Sequence, residues 1–183
     1  MKKVVYNTGN LEMKEIDDYV KKARAFLVND NDEVLLVRYA NMYMLPGGSV
    51  EEGEETFLEG LKRELLEETG ISDYTVSEEP FLVIQDYIRD YPKRDNVGTT
   101  NRYTETEFFL LHTSQGIDSS QIHLTESEQK RGFQAKFVPV ELLSTLIQMT
   151  PSNNPKNKYF VRELETVLGN LPDELLEKVK KIN

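Results

Sequence analysis

Glu64, Glu67 and Glu68 stand at positions i, i+3 and i+4 of a segment in which Leu58, Leu61 and Leu65 recur at helical spacing. At roughly 100° per residue the leucines form one apolar stripe that should face a sheet, and the three carboxylates share an adjacent face within reach of one another. Three converging carboxylates, with no cysteine in the chain and no histidine nearby, make a hard oxygen site. Such a site suits Mg²⁺ or Mn²⁺ and not zinc.

A helix selected for stability alone would not be built this way. Glu64 and Glu68 form a like-charge i,i+4 pair that costs ~0.2–0.5 kcal/mol. All three acids also crowd the last turns before Gly70, the expected C-terminal cap, where the helix dipole favours cations. Arg63 lies four residues from both Glu59 and Glu67, so it can pair on either side and leave Glu64 and Glu68 free. Acidic runs on helices are mostly solvated faces, but Pro46-Gly47-Gly48 upstream weighs against that reading here. Two glycines let the backbone approach a ligand closely and present carbonyl and amide groups to a metal and a phosphate. Local rule-breaking beside such a loop is the pattern of a functional site.

The elements that must position these residues can be read on either side. Ala23–Val28 and Glu33–Ala40 are β-rich runs joined by the polar turn Asn29-Asp30-Asn31-Asp32, a hairpin pattern. Pro80–Tyr91 and Tyr103–His112 read as two further strands, with a polar loop from Pro92 to Asn101 between them. Phe133–Val138 reads as a last core strand, followed after Pro139 by a short amphipathic helix through Leu142, Leu143, Leu146 and Ile147. Pro151–Asn157 is a linker candidate, and helices are expected around Lys158–Leu168 and Asp173–Lys181. Strands before and after a central helix predict a mixed α/β domain, and 183 residues fit one domain with appendages.

The stretch Arg63-Glu64-Leu65-Leu66-Glu67-Glu68-Thr69-Gly70-Ile71 resembles the second half of the Nudix box at every position. The box pattern is Gly, five residues, Glu, seven residues, Arg-Glu-apolar-x-Glu-Glu-x-Gly-apolar. Seven residues before Arg63 the first glutamate falls at Glu55, but Gly48 then lies six residues ahead of it, one more than the pattern has. The insertion sits before the helix and leaves the register of Glu64, Glu67 and Glu68 intact, with Glu54 and Glu55 both candidates for the first box glutamate. Phe137-Val138-Pro139-Val140-Glu141-Leu142-Leu143 resembles the strand-to-helix junction that closes many family members.

The resemblance implies an α/β/α sandwich with a mixed sheet, a core at about residues 20–150 and additional C-terminal helices at about 157–183. It implies that Glu64, Glu67 and Glu68 bind divalent metal, with the Gly47 carbonyl as a further ligand, and that Arg63 is an orienting partner. It also implies a metal-dependent hydrolase that cleaves the diphosphate linkage of a nucleoside diphosphate derivative by attack of water on phosphorus. Glu67 is the first candidate for the general base, and Glu126 and Glu128, before the last core strand, are the external candidates. Substrate contacts are expected from Gly48 and from the strands after the box, where Tyr87 and Tyr103 offer aromatic surface and Arg102 a phosphate partner. Tyr87 lies sixteen residues past Ile71, where some dinucleoside-polyphosphate hydrolases of the family carry a tyrosine. ADP-ribose, nucleotide sugars and oxidised nucleoside triphosphates are the other substrate classes open to it.

Bulk composition narrows the alternatives. The net charge of −10 disfavours nonspecific binding to nucleic acid or anionic lipid, and it asks for a bound cation wherever an anionic substrate must approach. No apolar run reaches the ~20 residues of a membrane span, and the N-terminal residues lack the apolar core of a signal peptide. With the absence of cysteine this suits a cytoplasmic protein. The competing reading is a catalytically silent Nudix-fold module that binds nucleotide to regulate a partner; its usual sign is loss of box carboxylates, and none is lost here. The C-terminal helices offer a surface for a homodimer or another partner, although docking onto the core is the simpler arrangement.

Overall fold

The computed structural model describes residues 1–40, 42–51, 56–93, 97–149 and 157–175. Glu54 and Glu55, most of the expected linker, and the chain after Leu175 lie outside the described residues. Strands β1 (Lys2–Tyr6), β2 (Asp18–Asn29), β3 (Glu33–Tyr39) and β4 (Met42–Met44) precede the box helix α1 (Phe57–Thr69). After it come β5 (Thr75–Val76), β6 (Leu82–Pro92), β7 (Thr99–Thr113), α2 (Glu126–Lys130), β8 (Gln134–Pro139), α3 (Leu143–Gln148) and α4 (Asn157–Leu168).

The strands form one mixed sheet in the order β1-β6-β7-β2-β3-β4, with β5 added on β7 and β8 on β3. β1 runs parallel to β6 and β2 parallel to β7, while the other pairs are antiparallel. The expected hairpin is the β2–β3 turn, with Val28 opposite Val34. The polar loop expected from Pro92 to Asn101 is shorter than its sequence suggests, because Thr99 and Thr100 already pair with Pro92 and Tyr91 as the start of β7. The N-terminal strand β1 was not expected from the sequence: Lys2–Tyr6 is short, and its partner lies some eighty residues on.

Both faces of the sheet are covered, which is why β2 is apolar on both sides. Ala23, Ala25 and Leu27 point to the face where Leu61 and Leu65 of α1 dock, along with Ile71, Phe109 and Leu111. Phe26 and Val28 point the other way, into a core shared with Leu82, Ile84, Phe108, Leu143 and Ile147. Leu164 and Val167 of α4, and Leu171 after it, belong to that second core, so α4 is packed onto the sheet. The Tyr6 and Thr166 hydroxyls share a hydrogen bond of 2.7 Å that ties α4 to β1. The result is an α/β/α sandwich. Among the described residues no helix is long and apolar enough to cross a membrane.

Candidate active site

Local chemistry fixes both ends of α1. Thr56 caps the N-terminus with its hydroxyl accepting from the Glu59 N–H, while the Glu59 carboxylate accepts from the Thr56 N–H. Gly70 ends the helix at φ 70°, a left-handed conformation that glycine takes without strain. Glu59 is thereby committed to the cap and is not the partner that the spacing offered to Arg63. Arg63 instead donates to Glu64 at 3.1 Å, to Glu67 at 3.2 Å and to the Ser49 carbonyl at 3.3 Å. Glu64 is therefore not left free, contrary to the spacing argument. Arg63 braces two of the three acids against the glycine loop.

That loop runs beside the first half of β2 like a further strand. The Ala25 N–H donates to the Pro46 carbonyl and the Ala23 N–H to the Gly48 carbonyl, each at 3.0 Å, and Val50 N–H donates to the Lys21 carbonyl at 2.9 Å. Gly47 has φ 122° and no room for a Cβ against the Ala23 carbonyl. A Cβ on Gly48 would overlap the Glu64 carboxylate. Gly47 is required by the close seat of the loop on β2, and the bare Gly48 leaves the Glu64 carboxylate its place against the loop. Glu68, 7% exposed, accepts from the Gly47 N–H at 3.0 Å.

Burial raises the pKa of both inner acids. For Glu68 desolvation outweighs the Gly47 N–H and the nearby Arg24 and lifts it to about 8. Glu64 is also raised by desolvation, opposed first by Arg63. Glu67 is the most open of the three, with 44% of its side chain exposed. Among the described residues no three acid or histidine side chains already stand at metal-ligand spacing. The donor set nevertheless fits a divalent ion: it is all oxygen, it converges on glycine backbone, and a cation there would offset the desolvation that raises Glu68 and Glu64. The Gly47 carbonyl, expected as a ligand, accepts a hydrogen bond from the Arg24 guanidinium, which also donates to the Leu45 carbonyl at 3.3 Å.

The external base candidates lie on α2. Glu126 pairs with Lys130 at 3.2 Å and is 89% exposed. The Glu128 carboxylate accepts from the Thr125 N–H and hydroxyl at 2.7 and 2.8 Å, closing a capping box, and its charge contributes to the rise at Glu68.

The expected substrate residues divide between the two faces of the sheet. Tyr103 and Tyr87 meet edge-on at 4.9 Å on the α1 face, where the Tyr103 hydroxyl donates to Glu105 at 2.9 Å. Arg102 points to the α4 face, bonded to Asp18 at 2.8 and 2.5 Å with its guanidinium 4.0 Å above the Tyr91 ring. One pocket cannot hold all three. The α4 face has a pocket of its own, walled by Lys22, Asp86, Tyr91, Arg102, Arg162 and Glu163. Arg162 of α4 is bonded to Asp86 and lies 4.2 Å above the Tyr6 ring.

Arg24 and the α4 residues were missed from sequence. A lone arginine inside the apolar run Ala23–Val28 was the available signal. Nothing local announced that α4 would roof a pocket built on strands some seventy residues earlier.

A family model of the NUDIX domain matches residues 18–164. Among solved structures, the NUDIX domain of Shewanella oneidensis NrtR, determined in complex with ADP ribose, has 19% identity and a TM-score of 0.51, covering 87% of this chain and 95% of that one. The solution structure of the Escherichia coli ORF135 protein has 17% identity and a TM-score of 0.51, covering 89% and 99%. The E. coli dihydroneopterin triphosphate pyrophosphohydrolase has 18% identity and a TM-score of 0.47, covering 80% and 97%. A search of curated proteins finds no match. The chain belongs to the Nudix family of hydrolases.

Proposed function

We propose that this protein is a metal-dependent pyrophosphohydrolase of a nucleoside diphosphate derivative, with Mg²⁺ or Mn²⁺ held by Glu64, Glu67 and Glu68. The observation that carries the reading is the docking of the acidic face of α1 on the glycine loop, where Glu68 meets the Gly47 N–H and Glu64 fills the space a Gly48 side chain would take. A bound divalent ion supplies positive charge to the diphosphate oxygens and makes an attacking water more acidic.

The chain's own groups do the rest. Glu67 is open enough to take the proton of the attacking water at a carboxylate oxygen, while Arg63 fixes its orientation. Glu126 and Glu128 are less suited to that work, since one is paired with Lys130 and the other caps its helix. Gly48 would meet a phosphate through its backbone. The remainder of the substrate would meet the α4 side, where Arg102 and Tyr91 offer a stacked cation and ring. Tyr87 and Tyr103 sit on the other face and serve a substrate only if it wraps the sheet edge.

The test is phosphate release, with a coupling phosphatase, across ADP-ribose, dinucleoside polyphosphates, nucleotide sugars and nucleoside triphosphates. Each is assayed with Mg²⁺, with Mn²⁺ and with EDTA. Turnover of one class that EDTA abolishes is the expected result and names the substrate. No turnover of any class, together with thermal stabilisation by a nucleotide, would replace the enzyme with a binding module.

A further inference from the structure

The Arg24 side chain is 7% exposed and crosses from the α4 face to the glycine loop. Its Nη1 donates to the Gly47 and Leu45 carbonyls. Its Nε is buried and has no hydrogen-bond acceptor, although Glu163 Oε1 of α4 stands 3.7 Å away, just beyond bonding distance. Glu163 is itself 16% exposed on its side chain. Leaving a buried guanidinium N–H unsatisfied costs stability, and native structures seldom keep one without a use for it.

We propose that Arg24 and Glu163 form a counter-ion relay that reports metal occupancy of the glycine loop to α4. The inference rests on the metal reading given under Proposed function. The guanidinium holds the Gly47 carbonyl and lends positive charge to Glu64 and Glu68. A divalent ion held by these carboxylates would repel the guanidinium whose charge now acts on them. Arg24 then withdraws toward the α4 face, where its free Nε–H completes a charge-assisted bond to Glu163. Metal at the loop and the Arg24–Glu163 pair are coupled through one side chain.

The experiment is a double-mutant cycle on Mn²⁺ binding, read by electron paramagnetic resonance of free Mn²⁺ without substrate. E163Q should weaken Mn²⁺ binding on the order of tenfold, as loss of an outer-shell partner does. In an R24Q background, where no guanidinium needs a receiver, E163Q should change binding less than about twofold. Equal effects of E163Q in both backgrounds, or no effect in either, would overturn the relay while leaving the metal site standing. Absence of Mn²⁺ uptake by the unaltered protein would overturn both. Should R24Q not fold, the nitrogen-15 signal of the Arg24 Nε–H in the unaltered protein decides. Saturating Mg²⁺ should shift that signal, and E163Q should abolish the shift; a signal indifferent to Mg²⁺ removes the relay.

Discussion

The two faces of the sheet carry similar side chains and put them to different use. On the α1 face, beyond the apolar stripe, Tyr19 and Tyr87 pack against Tyr103, whose hydroxyl donates to Glu105; Glu105 also accepts from Gln85 at 2.5 Å, and Tyr19 remains 52% exposed. On the α4 face, tyrosines and charges of the same kinds lie under a helix. There Arg102 is bonded to Asp18 and Arg162 to Asp86, and Glu163 stands 3.7 Å from Arg24. The contrast teaches that a roof, and not residue type, turns an aromatic and charged strand surface into a pocket. A single step along β7, from Arg102 to Tyr103, moves a side chain from one environment to the other.

The largest effect should come from the acids that neither face contains but both support. Glu64→Gln and Glu68→Gln should each lower kcat/KM on the order of 10³-fold, about 4 kcal/mol of transition-state stabilisation. Burial already disfavours the ionised carboxylate at both positions, so the neutral amide should leave the melting temperature of the metal-free protein level or higher. Either variant retaining activity at saturating Mg²⁺ would remove the metal assignment.

Next come the two cores. Leu65→Ala under α1 and Leu164→Ala on α4 remove side chains that are 0% and 5% exposed, and each should cost about 2–5 kcal/mol in urea denaturation. They should part company in kinetics: Leu164→Ala loosens the roof of the pocket and should raise KM several-fold, whereas Leu65→Ala should leave KM near its starting value. Equal KM values in the two folded variants would mean that α4 does not shape the substrate cleft.

Arg102→Ala and Tyr103→Phe sharpen the contrast at adjacent residues. The first should raise KM about tenfold, roughly 1.4 kcal/mol, and the second should change it less than about twofold. The reverse order would put the substrate on the α1 face.

How far this division could be read from sequence depends on range. The acid triad and its glycine loop were legible because helical spacing is local, and the β2–β3 hairpin and the strands β6 and β7 because alternation and turn residues are local too. The opposite destinations of Arg102 and Tyr103 follow from a period of two, but which parity faces α1 depends on the parallel pairing of β7 with β2, set by residues more than eighty positions apart. β1 is hidden for the same reason, since Lys2–Tyr6 becomes a strand only by pairing with β6. Arg63 illustrates a local competition: the sequence offered it Glu59, but the Thr56 cap claimed that carboxylate first.

The smallest effect tests whether the α4 face is as dry as its roof implies. Lys22 is half-buried as a residue, yet its ammonium lies 5.9 Å from the Phe160 ring under α4, and desolvation lowers its pKa to about 8 despite Glu163 nearby. A lysine whose folded pKa lies below its unfolded value binds fewer protons folded than unfolded between those two values, so stability must rise with pH across that interval. Between pH 8 and 10 the unaltered protein should gain on the order of 1 kcal/mol relative to Lys22→Met, as followed by urea denaturation at each pH. Taking the difference cancels the titration of groups common to both proteins. A difference that stays flat with pH would mean that water reaches the ammonium, and the contrast between a roofed and an open face would then rest on the apolar residues alone.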